Sequence, residues 1–250
     1  MPEKTDDPTR SGGTLHCLDL FSGLGGFSQA FRESDRWEVT TVEIEERFEP
    51  DIQADVMDLR PGDLPDADLV LASPPCTQFS MAASRYERFV DGEPNTPEAS
   101  EAVALVYHTI GLIKALSPRY WFLENPQGYL RQVLGEPTGR VTYCQYGRPY
   151  MKPTDLWGDH PAGFSYRSCS YGSACHEYNT DQENGGTGNF RDFQDVIRDP
   201  AKRAKVPEEL SEEIREAVEE AIDTPQPEQS ELPLVADGGP NARPGDGANQ

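Results

Sequence analysis

Lysine is scarce in this chain. Of the 22 basic residues among 250, only 5 are Lys and 17 are Arg, and 44 acids leave a formal net charge of −22. In dilute buffer so acidic a chain is a poor match for a polyphosphate, because neutralising phosphates supplies most non-specific affinity for nucleic acid. The acids are spread along the whole sequence, however, and few lysines beside many Asp and Glu is the composition of proteins from salt-loving cells. In molar salt the Debye length falls to about 3 Å, so charge alone does not decide the partner. Cysteine is sparse too. Five in a chain of this length argue against a disulfide-stapled scaffold and for a reducing compartment where thiols stay available. No run of eighteen apolar residues occurs, so no membrane partner is expected. The opening MPEKTDDPTRSGG is polar rather than signal-like, which leads us to expect a cytoplasmic protein. There are no internal repeats.

What is present is an alternation of short apolar runs and helical patterns, the signature of a parallel sheet with crossover helices. TLHCLDLF reads as a first strand, SGLGG as a tight turn, and FSQAFRES as the start of a helix. WEVTTVEI, ADLVLAS, RYWFLENP and VTYCQYG read as further strands, and Pro97 to Leu116 as a long helix. The expected architecture is α/β, a doubly wound and mostly parallel sheet over residues 14–160, after a flexible arm at 1–13. Residues 161–222 read as a small irregular module, closed by an acidic helix over Pro207 to Ile222. The segment 223–250 is rich in Pro, Gly and acids and reads as a disordered tail.

Chemistry-bearing residues fall at the predicted strand ends. Asp19 and the glycines Gly23, Gly25 and Gly26 would let backbone approach a ligand at the sheet edge, where doubly wound folds bind nucleotides. Glu43 ends the second strand 17 residues after Gly26, near the spacing of an acid that grips ribose hydroxyls. Asp55 is placed to accept from an adenine amino group. Together these outline a nucleoside pocket. Cys76 follows Ser73-Pro74-Pro75 at another strand end, a setting for an exposed nucleophile rather than a core thiol. Glu124 and Asn125 end a further strand, and an acid opposite a thiol can hold a proton on a ring nitrogen while the thiol attacks a ring carbon. Thr77 to Glu98 reads as a mobile lid.

DLFSGLGGF, VEIEERF, SPPCTQFS and ENPQG, in this order and spacing, resemble the motifs of the DNA cytosine-C5 methyltransferases. The likeness runs from about Leu15 to Gly128 and continues more weakly through QYGRPYMKPTDLW. It implies a Rossmann-like methyltransferase fold and S-adenosylmethionine as cofactor. It also implies that Phe21, Ser22, Gly23, Leu24 and Gly25, beside Asp19, line the cofactor site, that Glu43 binds ribose and Asp55 adenine, and that Pro74 sits beside the cofactor. Cys76 would add to cytosine C6, Glu124 would steady or protonate N3, Asn125 would help fix the loop, and Lys152 would keep a positive charge near the site. The implied partners are double-stranded DNA and a cognate restriction endonuclease. The same resemblance leaves room for methylation of tRNA, or for a catalytically weak DNA-binding relative.

This chain departs from the pattern in places. The family's Gln-x-Arg-x-Arg element falls on Tyr150, Lys152 and Thr154, so its last arginine is absent and Arg148 is the candidate substitute. The ending resembles that of abbreviated phage-type and haloarchaeal relatives, with Arg203 and the Val206-Pro207 helix finishing the fold. Cys169, Cys175 and His176, with Cys144 or His160 nearby in sequence, fit no strong zinc spacing, so they read as ordinary loop residues and no metal site is expected. His108 reads as structural.

Overall fold

The computed structural model describes residues 13–80, 87–170, 173–176, 178–179 and 200–224. The expected arm up to residue 12, the tail beyond residue 224, residues 81–86 of the expected lid and all of 180–199 lie outside these residues.

A seven-stranded sheet organises the chain. Its strands are β1 (Leu15–Leu20), β2 (Trp37–Glu43), β3 (Ile52–Gln53), β4 (Leu69–Ala72), β7 (Tyr120–Pro126), β8 (Gly139–Thr142) and β10 (Pro153–Asp159). Their spatial order is β3-β2-β1-β4-β7-β10-β8. The pairs from β3 through β7 are parallel, while β10 runs antiparallel between β7 and β8. Within the expected lid, β5 (Phe89–Val90) and β6 (Glu93–Pro94) form a short hairpin, so the described part of that segment has more structure than a loop. β9 (Tyr150–Met151) pairs in parallel with β11 (Tyr178–Asn179).

Strands buried on both faces read as unbroken apolar runs, which is why β1 and β4 were legible. Leu15, Cys17, Leu69 and Leu71 face one core layer, while Leu18, Leu20, Val70 and Ala72 face the other. The long helix α2 (Pro97–Leu116) covers the second face with Val106, Leu112, Ile113 and Leu116. Thr96 caps its start by accepting from the Ala99 N–H at 3.1 Å, and Ser117 ends it in the left-handed region. This helix is long and apolar enough to cross a membrane by composition alone, but here it lies against the sheet.

The first face is covered by α1 (Gln29–Arg32) and the acidic helix near the C-terminus (Glu208–Asp223). The short helices α3 (Leu130–Leu134) and α4 (Pro200–Ala204) precede that last one, which is α5. Leu210, Ile214 and Val218 of α5 share a core with Leu15, Leu71 and Phe122, so this helix is part of the sheet's own packing. Ser211 ties α5 to α1 by accepting from the Ala30 N–H at 3.1 Å and donating to the Phe27 carbonyl at 2.7 Å.

Two local expectations differ from the structure. VTYCQYG is not a strand throughout: β8 stops at Thr142 and a 3-10 turn takes Tyr143–Tyr146. PTDLWGD, which carried no strand signal, forms β10 in the interior of the sheet. Proline at its first position gives up no ladder donor that matters. Its fully buried Asp155 is satisfied by Arg131, whose Nε and Nη2 donate to the two carboxylate oxygens at 2.6 Å each.

Candidate active site

The strand order reverses between β1 and β4, and ligands of open α/β sheets bind in the crevice beyond such a point. The chain leaves β1 through a tight turn in which Phe21 and Gly23 have φ of 62° and 49°. Positive φ is strained for phenylalanine, and Gly23 meets the same demand without a side chain. The Gly23 N–H donates to Glu43 Oε2 at 3.0 Å, while Glu43 Oε1 accepts from the N–H groups of Ile44 and Glu45 at 2.8 and 3.2 Å. Glu43 is thus pinned at the end of β2, beside the turn. Ser22 donates its N–H to Val42, Gly25 folds back to Ser22, and Leu24 is 44% exposed at the tip.

Asp19, expected beside the cofactor turn, lies inside the fold at the end of β1. It is fully buried, and its Oδ2 accepts from the Ser28 hydroxyl at 2.6 Å, while Oδ1 has no hydrogen-bond partner. Burial pushes its carboxyl up to about 7, against the pull of the Ser28 hydrogen bond and the Arg32 charge. Asp55 is exposed after β3 and caps a 3-10 turn, accepting from the Met57 N–H through Oδ1 at 2.9 Å.

Cys76 and Glu124 come from neighbouring parallel strands, β4 and β7, in which Ala72 pairs with Leu123. Both therefore reach the same rim. The loop that carries Cys76 is braced from β7 and beyond. Asn125 Nδ2 donates to the Pro74 carbonyl at 2.9 Å, the Tyr129 N–H donates to Phe79, and Ser80 bridges to Gly128. Cys76 itself is half-buried, and its carbonyl accepts from the Phe79 and Ser80 N–H groups, closing the turn.

Around the thiol the charges are mixed. Burial pushes Cys76 above its usual range, Lys152 and then Arg203 pull it down, and Glu124 pushes it up. Glu124 is buried, accepts from the Tyr143 hydroxyl at 2.9 Å, and has Lys152 Nζ 3.8 Å from the same Oε1. The Lys152 ammonium also lies 4.3 Å from the Tyr143 ring centre. Burial first, and the Glu124 charge next, hold the Tyr143 hydroxyl well above its ordinary range, so it is a standing donor to the carboxylate. This arrangement is a thiol, a carboxylate and a lysine ammonium at one rim, next to a glycine turn, with the Arg203 charge also felt at the thiol.

The structure thus joins Pro74, Cys76, Glu124, Asn125 and Lys152 in one group, and Asp19, Ser22, Gly23 and Glu43 in another across the switch point. Of the residues that replace the family's arginines, Thr154 is buried and its hydroxyl donates to the Lys152 carbonyl, while Arg148 acts on Tyr150. The arginine whose charge reaches Cys76 is Arg203, from α4. Neither Arg203 nor Tyr143 carried a site signal in the sequence, because each reaches the thiol or the carboxylate only through tertiary packing.

With an antiparallel strand set between the last two parallel ones and a glycine turn at the switch point, the fold is that of the Rossmann-like methyltransferases. The family profile described as C-5 cytosine-specific DNA methylase matches residues 15–138. A probable DNA (cytosine-5)-methyltransferase of frog virus 3 (isolate Goorha) is 30% identical over 189 residues, covering 71% of this chain and 84% of that protein. The type II methyltransferase M.DdeI of Desulfomicrobium norvegicum is 26% identical over 171 residues, covering 55% of this chain and 39% of that one. M.HaeII of Haemophilus aegyptius is 28% identical over 146 residues, covering 52% and 42% respectively. This chain belongs to the C-5 cytosine-specific DNA methylase family. It spans most of the viral relative and less than half the length of the two bacterial ones.

Proposed function

We propose that the protein is a cytoplasmic DNA cytosine-C5 methyltransferase that works through a covalent adduct between Cys76 and a flipped cytosine of double-stranded DNA. The observation that carries this reading is the convergence of Cys76 and Glu124 on one rim, with Lys152 held by Glu124 and Asn125 bracing the thiol loop.

The residues fit S-adenosylmethionine as cofactor. A side chain at Gly23 would point into open space, with nothing within 4 Å, which leaves room for a ligand at the turn. Asp19 Oδ1 is buried and unpaired beside it, and Glu43 is oriented by three backbone N–H groups. Phe21, Ser22, Gly23, Leu24 and Gly25 would line the methionine and adenosine, Glu43 would take the ribose hydroxyls, and the exposed Asp55 would take the adenine amino group. Pro74 would close the side next to the reacting base. When bound, the cofactor supplies an electrophilic methyl group.

The protein's own work is nucleophilic and acid–base. The Cys76 thiol must lose its proton, and the Lys152 and Arg203 charges stabilise the resulting thiolate. Its sulfur adds to C6 of the cytosine while Glu124, steadied by Tyr143, holds a proton on N3. The ring electrons so released make C5 nucleophilic. After methylation the C5 proton leaves, the C6–S bond breaks, and Cys76 is regenerated. Because C5 and C6 are stacked inside a duplex, the base must first swing out, at a cost of roughly a few kcal/mol.

The test is a covalent-capture assay. Duplex DNA carrying 5-fluorocytosine, incubated with S-adenosylmethionine and the protein, should give a stable adduct, because fluorine cannot leave as the proton does. Cys76→Ala should give none. Adduct formed on tRNA and not on duplex would move the reading to RNA, and no adduct on either would end it. The type II relatives support a restriction-modification setting, in which DNA from cells expressing this protein resists digestion by a cognate endonuclease.

A further inference from the structure

Three of the chain's five cysteines and one of its four histidines meet at a place that the methyl-transfer chemistry does not use. Cys144 comes from the 3-10 turn after β8, whereas Cys169, Cys175 and His176 come from the loop that follows β10. Their sulfur and nitrogen atoms all lie within 4.8 Å of one another. We infer that these four side chains form a structural zinc site of three thiolates and one imidazole.

Three of the six separations match the edges of a tetrahedral site. With Zn–S of about 2.3 Å and Zn–N of about 2.05 Å, tetrahedral angles put two sulfurs about 3.8 Å apart and a sulfur and a nitrogen about 3.6 Å apart. The Sγ atoms of Cys144 and Cys175 are 3.8 Å apart, and His176 Nδ1 lies 3.5 Å from Cys175 and 3.7 Å from Cys169. The Cys144–Cys169 separation, 3.2 Å, is the short edge. It is still far from a disulfide bond of about 2.05 Å, and both thiols are free. A soft, four-ligand set of this type selects Zn²⁺, and four protein ligands leave no open position for catalysis. His160 takes no part: it stacks on Phe122 at 3.9 Å and pairs with the Tyr166 hydroxyl.

The place of the cluster gives the metal its role. The Cys169 N–H donates to Thr142 Oγ1 at 2.9 Å and the Thr142 N–H donates to the Arg167 carbonyl at 3.1 Å, so the loop already runs along the end of β8. Just beyond His176, Tyr178–Asn179 pairs with Tyr150–Met151, the strand that leads into Lys152. Tyr143, the donor to Glu124, is the residue before Cys144. Zinc at this point would fasten the loop to the turn and strand that supply Tyr143 and Lys152.

Elemental analysis of the full chain, purified without chelator, should find about one zinc per chain, and Cys169→Ser should remove it while Cys76→Ser keeps it. Cobalt(II) added to chelator-stripped wild-type protein should give thiolate-to-cobalt charge-transfer bands with tetrahedral d–d bands, a readout that needs no variant to fold. Cys175→Ser and His176→Ala, which alter the least buried ligand and the imidazole, should each weaken those bands. The inference is overturned if wild-type protein carries no zinc and gives no cobalt bands, or if its metal is iron. A Cys144–Cys169 disulfide in metal-free protein purified under reducing conditions would overturn it as well.

Discussion

At the scale of single residues, the site sets opposing forces on each group that must change its proton. Burial holds Cys76 as a thiol in the resting protein, and the two cations that oppose this come from separate parts of the chain, β9 to β10 for Lys152 and α4 for Arg203. Removing Arg203 deletes a charge that favours the thiolate. Arg203→Ala should therefore shift the pH dependence of Cys76 alkylation by iodoacetamide to higher pH and slow the reaction several-fold at neutral pH. An unchanged profile would show that Arg203 does not act on the thiol. Asp19 gives a prediction for stability. Its carboxyl keeps its proton up to about pH 7 in the native state and loses it near the ordinary 3.8 when unfolded. Between these values the unfolded state binds fewer protons, so stability falls as pH rises, by at most about 1.4 kcal/mol per pH unit, and levels off above the native value. Asp19→Asn cannot titrate. Its thermal midpoint should gain on that of the parent as pH rises from about 4 to about 7, and a constant gap across that window would refute the assignment.

At the scale of elements, the segment leading into α5 is held against the glycine turn after β1 by the absence of a side chain. A Cβ on Gly26 would lie 2.5 Å from Lys205 Cγ, 2.6 Å from the Val206 carbonyl oxygen and 3.0 Å from the Val206 nitrogen. Two of these contacts are backbone and cannot rotate away. Gly26→Ala should cost about 1–3 kcal/mol as overpacking. It should also weaken S-adenosylmethionine binding in calorimetry, since the lead-in to α5 must move off the turn; full stability and affinity would show that the segment yields freely. Besides its pairing with β7 and β8 and its buried Leu156 and Trp157, β10 is tied into the sheet by one ion pair. Asp155→Ala would leave the Arg131 guanidinium with only the exposed Glu136 carboxylate at 3.3 Å, and Arg131 is 26% exposed, so the loss should be about 2–3 kcal/mol rather than the ~3–5 typical of a wholly buried pair. Urea denaturation measures it, and a loss below about 1 kcal/mol would mean that the pair is not what seats the strand. That pair also explains why β10 was not legible. A central strand carrying proline, aspartate and glycine offers no apolar run, and its partner Arg131 sits 24 residues away. By contrast β1, β2, β4, β7 and α2 were legible almost to their ends, because each buries an apolar face. The geometry of the candidate site was legible where a residue lies at or just past the end of such a strand, at Cys76, Glu43 and Glu124. It was not legible where packing alone brings residues together, as with Tyr143, Arg203 and the convergence of Cys144 with His176.

At the scale of the whole molecule, the dominant fact is charge. The chain carries −22, and α5 alone presents Glu208, Glu209, Glu212, Glu213, Glu216, Glu219, Glu220 and Asp223. Some of these are paired, Asp223 with Arg36, Glu213 with Arg167, and Glu216 and Glu219 with Arg215, but the acids of the helix outnumber these cations and repel one another across the surface. Self-repulsion of this kind works against the compact state, and screening relieves it. Salt should act on the two properties in opposite directions. Stability should rise as the Debye length shrinks from about 10 Å at 0.1 M to about 3 Å at 1 M, whereas phosphate contacts weaken as counterion release loses its advantage. At Cys76 the Lys152 and Arg203 charges oppose that of Glu124, so the local field at the thiol is less acidic than the net charge suggests. The thermal midpoint should therefore climb steadily with potassium chloride up to about 1 M. Methyl transfer to duplex DNA should pass through a maximum at a salt concentration above that of dilute buffer, where the folded fraction has recovered and binding has not yet been lost. Calorimetry and a filter-binding methyl-transfer assay, run over the same salt series, check both halves. A midpoint that falls with salt, or aggregation setting in above physiological ionic strength, would show that the acidic surface is not an adaptation to salt.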